Sequence, residues 1–165
     1  EENNPARGII NYQTFSHCEN GQTTYINMGK SNNEDLKNGL FIKMNGRQVY
    51  RYAVTIVPEL IKECLERAGI CLSEVKKFLI HQANEKMIIA MGEKIFAQHN
   101  MEGDFDKLIP MTIQELGNSS VATIPTLLDL VKKGKHGDHK IEEGDLIVLA
   151  SVGAGMHANC MLYRA

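Results

Sequence analysis

The sequence predicts an α/β fold in one domain, and three observations carry that prediction. Short apolar runs that read as strands alternate with segments whose apolar residues recur every three or four positions. One run, Leu146-Ile147-Val148-Leu149-Ala150-Ser151-Val152, is almost continuously apolar, as suits a central strand covered on both faces. From residue 40 onward the elements fall in the order β-α-β-α-β-α-β-β, a pattern of strands joined by crossover helices in a mixed sheet.

Each element has its own signal. Residues 8–18 carry β-branched and aromatic side chains without a helical stripe and read as a strand standing outside the α/β unit. Residues 19–39, rich in Asn, Gly, Thr and Ser, read as a long loop, and a loop of that size is more often functional than idle. Residues 40–44 form a short strand. Val49, Ala53, Ile56, Leu60 and Cys64 then mark an amphipathic helix over 46–68, closed by Gly69, in which the internal Pro58 should cause a bend or cost one backbone hydrogen bond. Residues 77–80 are the next strand, and the helix after Asn84 turns Met87, Ile88, Met91 and Ile95 inward. A short strand is expected within 108–116. A third helix over 119–133 buries Ile124, Leu127, Leu128 and Val131, with Asn118 placed to cap it. Gly153-Ala154-Gly155 makes a tight turn before a final strand over 157–164.

Composition excludes several classes. The 165 residues are enough for a sizeable core, with 43% hydrophobic and 23% charged residues. A net charge of −2 argues against nucleic-acid binding. No run reaches the roughly 18 to 20 apolar residues of a membrane span, and the first residues lack the pattern of a secretory signal. Cys18, Cys64, Cys71 and Cys160 have no CxxC spacing, which points to reduced thiols in a cytoplasmic protein. The sequence begins without an initiator Met, so a processed or truncated piece is expected.

The chemistry is concentrated at three junctions. In open α/β sheets ligands collect at the carboxyl ends of strands. His81 and Asn84 follow one strand, Asn118 follows the strand expected within 108–116, and residues 153–155 follow a third. An imidazole and a carboxamide there would stabilise charge on a carbonyl oxygen, and a Gly-Ala-Gly turn lets backbone N–H groups approach a second oxygen. A satisfied structural histidine and a capping asparagine fit the same spacing at least as well. His136, Asp138 and His139 have a metal-like spacing but read better as a solvated turn, so no metal is expected. Met87, Met91 and Met101 fit an acyl-chain tunnel, or more simply core filling.

His81-Gln82-Ala83-Asn84, then Gly117-Asn118-Ser119-Ser120, then Gly153-Ala154-Gly155, resembles the β-ketoacyl-acyl-carrier-protein synthase III family of the thiolase fold. Residues 44–50, Met-Asn-Gly-Arg-Gln-Val-Tyr, look like that family's Met-x-Gly-x-x-Val-Phe helix start, and the resemblance runs through nearly the whole chain. It implies the C-terminal half of a thiolase-like fold. Residues 1–18 would be the final strand of a missing N-terminal half, 19–39 a connecting loop, and 40–165 the C-terminal domain. It further implies decarboxylative Claisen condensation of acyl-CoA with malonyl-acyl-carrier protein in fatty acid biosynthesis. His81 and Asn118 would be catalytic, Ala154 would supply oxyanion-hole backbone, and Gly46, Asn84, Gly153 and Gly155 would bind the pantetheine arm. Arg51 and Lys86 would dock the acyl carrier protein. The implied parent is a homodimer without cofactor.

The sequence also departs from that family. Members are about twice as long, and their nucleophilic cysteine belongs to the first half. None of the four cysteines here has that context, so the chain alone is expected to be inactive. Val152, Ser119, Val121 and Met156-His157-Ala158 differ from the usual residues, and Glu85 sets an acid beside Lys86. Two alternatives stay open: a non-catalytic scaffold or heterodimer partner, and a specialised polyketide-type condensing enzyme.

Overall fold

The structure, a computed structural model, describes residues 7–19, 25–36, 38–100 and 103–165. In chain order its elements are β1 (Gly8–Ser16), β2 (Ile26–Lys30), β3 (Leu40–Met44), α1 (Gly46–Ala68), β4 (Val75–Ile80), α2 (Glu85–Gln98), α3 (Phe105–Leu108), α4 (Ile113–Leu116), α5 (Thr123–Lys132), β5 (Leu146–Gly153) and β6 (His157–Arg164).

The apolar runs of β4 and β5 pair in parallel, with Phe78 opposite Val148 and Ile80 opposite Ala150. Strand β6 turns back antiparallel to β5, and β1 adds antiparallel to β6, so the main sheet has the order β1-β6-β5-β4. Side chains alternate across it. Phe78, Ile80, Val148, Ala150, Cys160 and Leu162 face the core shared with α1 and α2, while Leu79 and Leu149 pack against Leu127, Leu128 and Val131 of α5. The interior place of β5 accounts for its unbroken apolar run.

Helix α1 is held at both ends and along one stripe. Asn45 Oδ1 accepts from Gln48 N–H at 3.3 Å, and Gly69, at φ 66°, lets the chain leave through Ile70 N–H to Leu65 C=O at 3.1 Å. Between the caps Ala53, Val57, Leu60, Ile61, Cys64 and Leu65 are buried, as is Pro58, which leaves its turn one hydrogen bond short.

Four expectations are corrected. Residues 19–39 are not all loop: β2 pairs with β3, Ile26 opposite Met44 and Lys30 opposite Leu40, in a separate two-stranded ribbon. The Asn and Gly within Ile26–Lys30 hide the strand, since its pairing rather than its composition makes it. Residues 40–44 therefore belong to that ribbon and not to the main sheet. Conversely β1, expected outside the α/β unit, is an edge strand of the main sheet. The strand expected within 108–116 is absent. That stretch runs from the end of the single-turn helix α3 through a link in which Ile109 and Pro110 are buried to the single-turn helix α4. Pro110 offers no N–H, and Thr112 N–H is taken by the Gln82 side chain instead of a strand neighbour.

The ribbon and β1 leave apolar side chains uncovered. Ile42 is 76% exposed, Leu40 67%, Met44 63%, Met28 58%, Tyr12 70% and Ile9 59%. Surface of that kind promotes association. Sedimentation velocity of the isolated chain is expected to show concentration-dependent oligomers, and a clean monomer across the accessible range would contradict this. In the core, Leu60→Ala is expected to cost about 2–5 kcal/mol in denaturant unfolding, because Leu60 has no exposed surface.

Candidate active site

Strand β4 ends by handing its backbone to side chains. His81 N–H still pairs with Ala150 C=O at 2.9 Å, continuing the ladder by one residue. Gln82, 0% exposed, then folds back: its Nε2 donates to Ile80 C=O and its Oε1 accepts from Thr112 N–H, both at 2.8 Å. Asn84 caps α2, accepting from Met87 N–H at 2.9 Å. The tetrapeptide is thus a strand exit, a clamp and a helix cap. His81 is the member whose ring remains for chemistry.

That ring is half-buried beside Thr123, with His81 Nδ1 2.8 Å from Thr123 Oγ1. Burial lowers its pKa below the ordinary histidine value, which favours the neutral ring. Asn118 lies on the exposed turn before α5. It does not cap that helix, which begins later than expected, at Thr123, because Ser120–Ala122 wind as a 3-10 turn. Instead Asn118 Oδ1 accepts from Ser120 N–H at 2.9 Å. Only a carbonyl oxygen can accept there, so the amide's orientation is set and its NH2 end is the one left for a ligand.

These groups converge. A cavity of about 250 Å³ is lined by His81, Asn84, Asn118, Gly46 and Gly153, together with apolar Ile26, Met44, Val49, Met87, Val152 and Met156 and the ring of Tyr50. A Cβ on Gly46 or Gly153 would meet nothing within 4 Å, so the folded chain does not need glycine there for space. Gly155 is different. Its φ is +136°, and a Cβ would fall 2.2 Å from the His157 ring, so it serves the turn and does not line the cavity. Ala154 is exposed at the tip, beside the lining Gly153. Arg51 is exposed on the second turn of α1 and Lys86 on the first turn of α2, next in sequence to the lining residues Tyr50 and Met87. Glu85 accepts from Gln114 Nε2 at 2.6 Å, so its charge is engaged away from Lys86.

The turn after β5 is tied to β1 by a network that the sequence reading missed. His17 N–H donates to Met156 C=O at 2.8 Å, Met156 N–H returns to His17 C=O at 3.0 Å, and Tyr52 Oη donates to Met156 C=O at 3.3 Å. Burial, with a smaller contribution from Cys18, pushes the Tyr52 phenol up to about 12, keeping it protonated as a donor. Thr123 was missed as well, since a Thr at a helix start carries no distinctive sequence signal.

None of the four cysteines lines the cavity. Cys18 and Cys71 are exposed, while Cys64 and Cys160 are buried. The hydrogen bond with Cys64, and then burial, push the Cys160 thiol up. The His136 and His139 rings stack at 5.3 Å on a separate charged hollow with Lys77 and Asp138. Among the described residues no group of three or more His, Cys, Asp or Glu side chains is placed to hold a metal ion. Met87 lines the cavity and Met91 is core, while Met101 lies outside the described residues.

Residues 65–165 match the family model described as 3-oxoacyl-acyl-carrier-protein synthase III C terminal. The chain belongs to the 3-oxoacyl-acyl-carrier-protein synthase III family. It is 40% identical over 123 residues to the β-ketoacyl-acyl-carrier-protein synthase III of Lactobacillus delbrueckii subsp. bulgaricus, covering 74% of this chain and 35% of the relative. With the enzyme of that name from Desulfotalea psychrophila it shares 32% identity over 162 residues, 96% of this chain and 47% of the relative. Its fold is thiolase-like, α/β with a mixed sheet. The 3-oxoacyl-acyl-carrier-protein synthase III crystal structure from Aquifex aeolicus superposes with a TM-score of 0.76 at 28% identity, over 99% of this chain and 46% of that one. The Thermus thermophilus synthase III gives 0.76 at 26% identity, over 96% and 46%. The chain therefore spans less than half the length of these synthase III relatives.

Gln82→Leu is expected to leave the Ile80 carbonyl and Thr112 N–H without their buried partner. Unfolding experiments should show a loss of about 2–4 kcal/mol, larger than an exposed substitution such as Lys86→Ala gives.

Proposed function

We propose that this chain carries the malonyl-decarboxylating half-site of a synthase III-type condensing enzyme. The observation that carries this is the convergence of His81 and Asn118 on one largely apolar cavity, each with its remaining polar atom available to a ligand. In this reading the thioester carbonyl of malonyl-acyl-carrier protein accepts hydrogen bonds from His81 Nε2–H and Asn118 Nδ2–H. The malonyl carboxylate leaves as carbon dioxide, and the bonding pair it leaves behind becomes an enolate whose oxygen the two donors stabilise. The carbanion carbon then attacks an acyl thioester held by the parent's nucleophile, expelling the thiolate. Donors aimed at developing charge in an apolar site are worth most in the transition state. A neutral imidazole suits this role, since it can donate without protonating the carbanion.

Asn84, Gly46 and Gly153, which line the cavity, would flank the pantetheine arm. Arg51 and Lys86, exposed beside two helix N-termini, suit an acidic carrier protein. Backbone near Ala154 would serve the acyl thioester. The nucleophile is assigned to a further segment of the parent, because no cysteine here reaches the cavity, and the chain alone is then inactive in condensation. The reading extends to a cytoplasmic homodimer that uses acyl-CoA and acyl-carrier protein as substrates in fatty acid biosynthesis, without a resident cofactor.

The test is malonyl decarboxylation by the full-length parent. His81→Ala and Asn118→Ala are each expected to lower the rate by about 10²–10³, with binding of the carrier protein retained. Unchanged rates in both variants would favour a scaffold that keeps the fold without the chemistry.

A further inference from the structure

Thr123 is 3% exposed, and its single hydroxyl proton has two acceptors within reach. Oγ1 lies 2.8 Å from His81 Nδ1 and 3.0 Å from Ser120 C=O. A hydroxyl can donate to one of them only. If it donates to Ser120, its oxygen must accept from His81 Nδ1–H, and every member of the chain is satisfied: Nδ1–H to Thr123, Thr123 to Ser120 C=O, Ser120 N–H to Asn118 Oδ1. If it donates to Nδ1, the imidazole proton must sit on Nε2, and Ser120 C=O keeps only the Thr123 N–H, so the chain holds one hydrogen bond fewer.

We propose that Thr123 is a positioning residue for His81, whose hydroxyl holds the imidazole proton on Nδ1 in the empty cavity and releases Nε2–H as a donor only when it turns from Ser120 C=O to Nδ1. In the resting arrangement Nε2 presents a lone pair to the cavity. In the turned arrangement Nε2 has taken one proton from solvent and Nδ1 has given one up, so the ring's charge is unchanged. A ligand carbonyl that accepts from Nε2–H supplies the interaction that offsets the bond lost at Ser120. The same turn carries Asn118, so both donors of the cavity are set by one hydrogen-bonded chain. The inference rests on the decarboxylating reading for its purpose, but the proton arrangement can be observed without any turnover.

The test is imidazole nitrogen NMR on the ligand-free 165-residue chain, with the His81 signals assigned by their loss in His81→Gln. In the wild type, and in Thr123→Ser, which keeps the hydroxyl, Nε2 is expected at the shift of an unprotonated ring nitrogen and Nδ1 at that of a protonated one. Thr123→Val would leave a buried Nδ1–H facing a methyl group. The tautomer ratio should then move toward Nε2–H by at least about tenfold, the effect of orphaning one buried donor. The Val variant should also titrate at lower pH, since the imidazolium loses a charge-assisted bond. A wild-type Nε2 that is already protonated while the ring is neutral would overturn the proposal, as would a Val variant with the wild-type ratio. The wild-type spectrum decides by itself should the Val variant fail to fold. Loss of decarboxylation in His81→Ala bears only on the proposed function.

Discussion

The parallel pairing of β4 with β5 can continue only as far as Ala150 C=O, and what happens to the backbone beyond that point organises the molecule. Buried peptide groups must find partners, and at the end of a strand the neighbouring strand no longer provides them. Gln82 provides them instead, one end of its amide on Ile80 and the other on Thr112. By closing the strand end it also pins the link between α3 and α4 against the sheet. His81, one residue earlier, is thereby held at the carboxyl edge with its ring turned to the cavity.

The cavity is shaped by elements that arrive from both sides of that edge. Helices α1 and α2 bring their N-termini, capped by Asn45 and Asn84, and the residues just inside them form part of the lining. The turn between β5 and β6 closes a further side and is itself held by His17 and Tyr52 from β1's end and α1. These supports are polar and local, whereas the walls are mostly apolar. Apolar walls strengthen a hydrogen bond relative to one in bulk water, and two neutral donors beside them have their largest effect on developing charge.

Much of this was legible in the sequence. Helix α1 was readable because its apolar stripe and Gly69 exit agree, and β5 because a strand with neighbours on both edges and packing on both faces has no polar alternation. His81, Asn84, Asn118, Gly46 and Gly153 were named together from motif order and do meet around one cavity. Gly155 was named with them but does not line the cavity, and its backbone angle and the His157 ring already require glycine.

Local pattern by itself determined the buried stripes, the Gly69 exit of α1 and the strand-to-helix junction at His81, because each depends on residues a few positions apart. Only the tertiary structure decided that residues 26–30 are a strand, that β1 joins the main sheet, and that 108–116 is not a strand. In each case the deciding hydrogen bond comes from a residue far along the chain: Met44 opposite Ile26, Arg164 opposite Gly8, Gln82 on Thr112. Thr123 belongs with these. A threonine at a helix start has no sequence signature, and it gains a role only because folding sets its hydroxyl between His81 and Ser120.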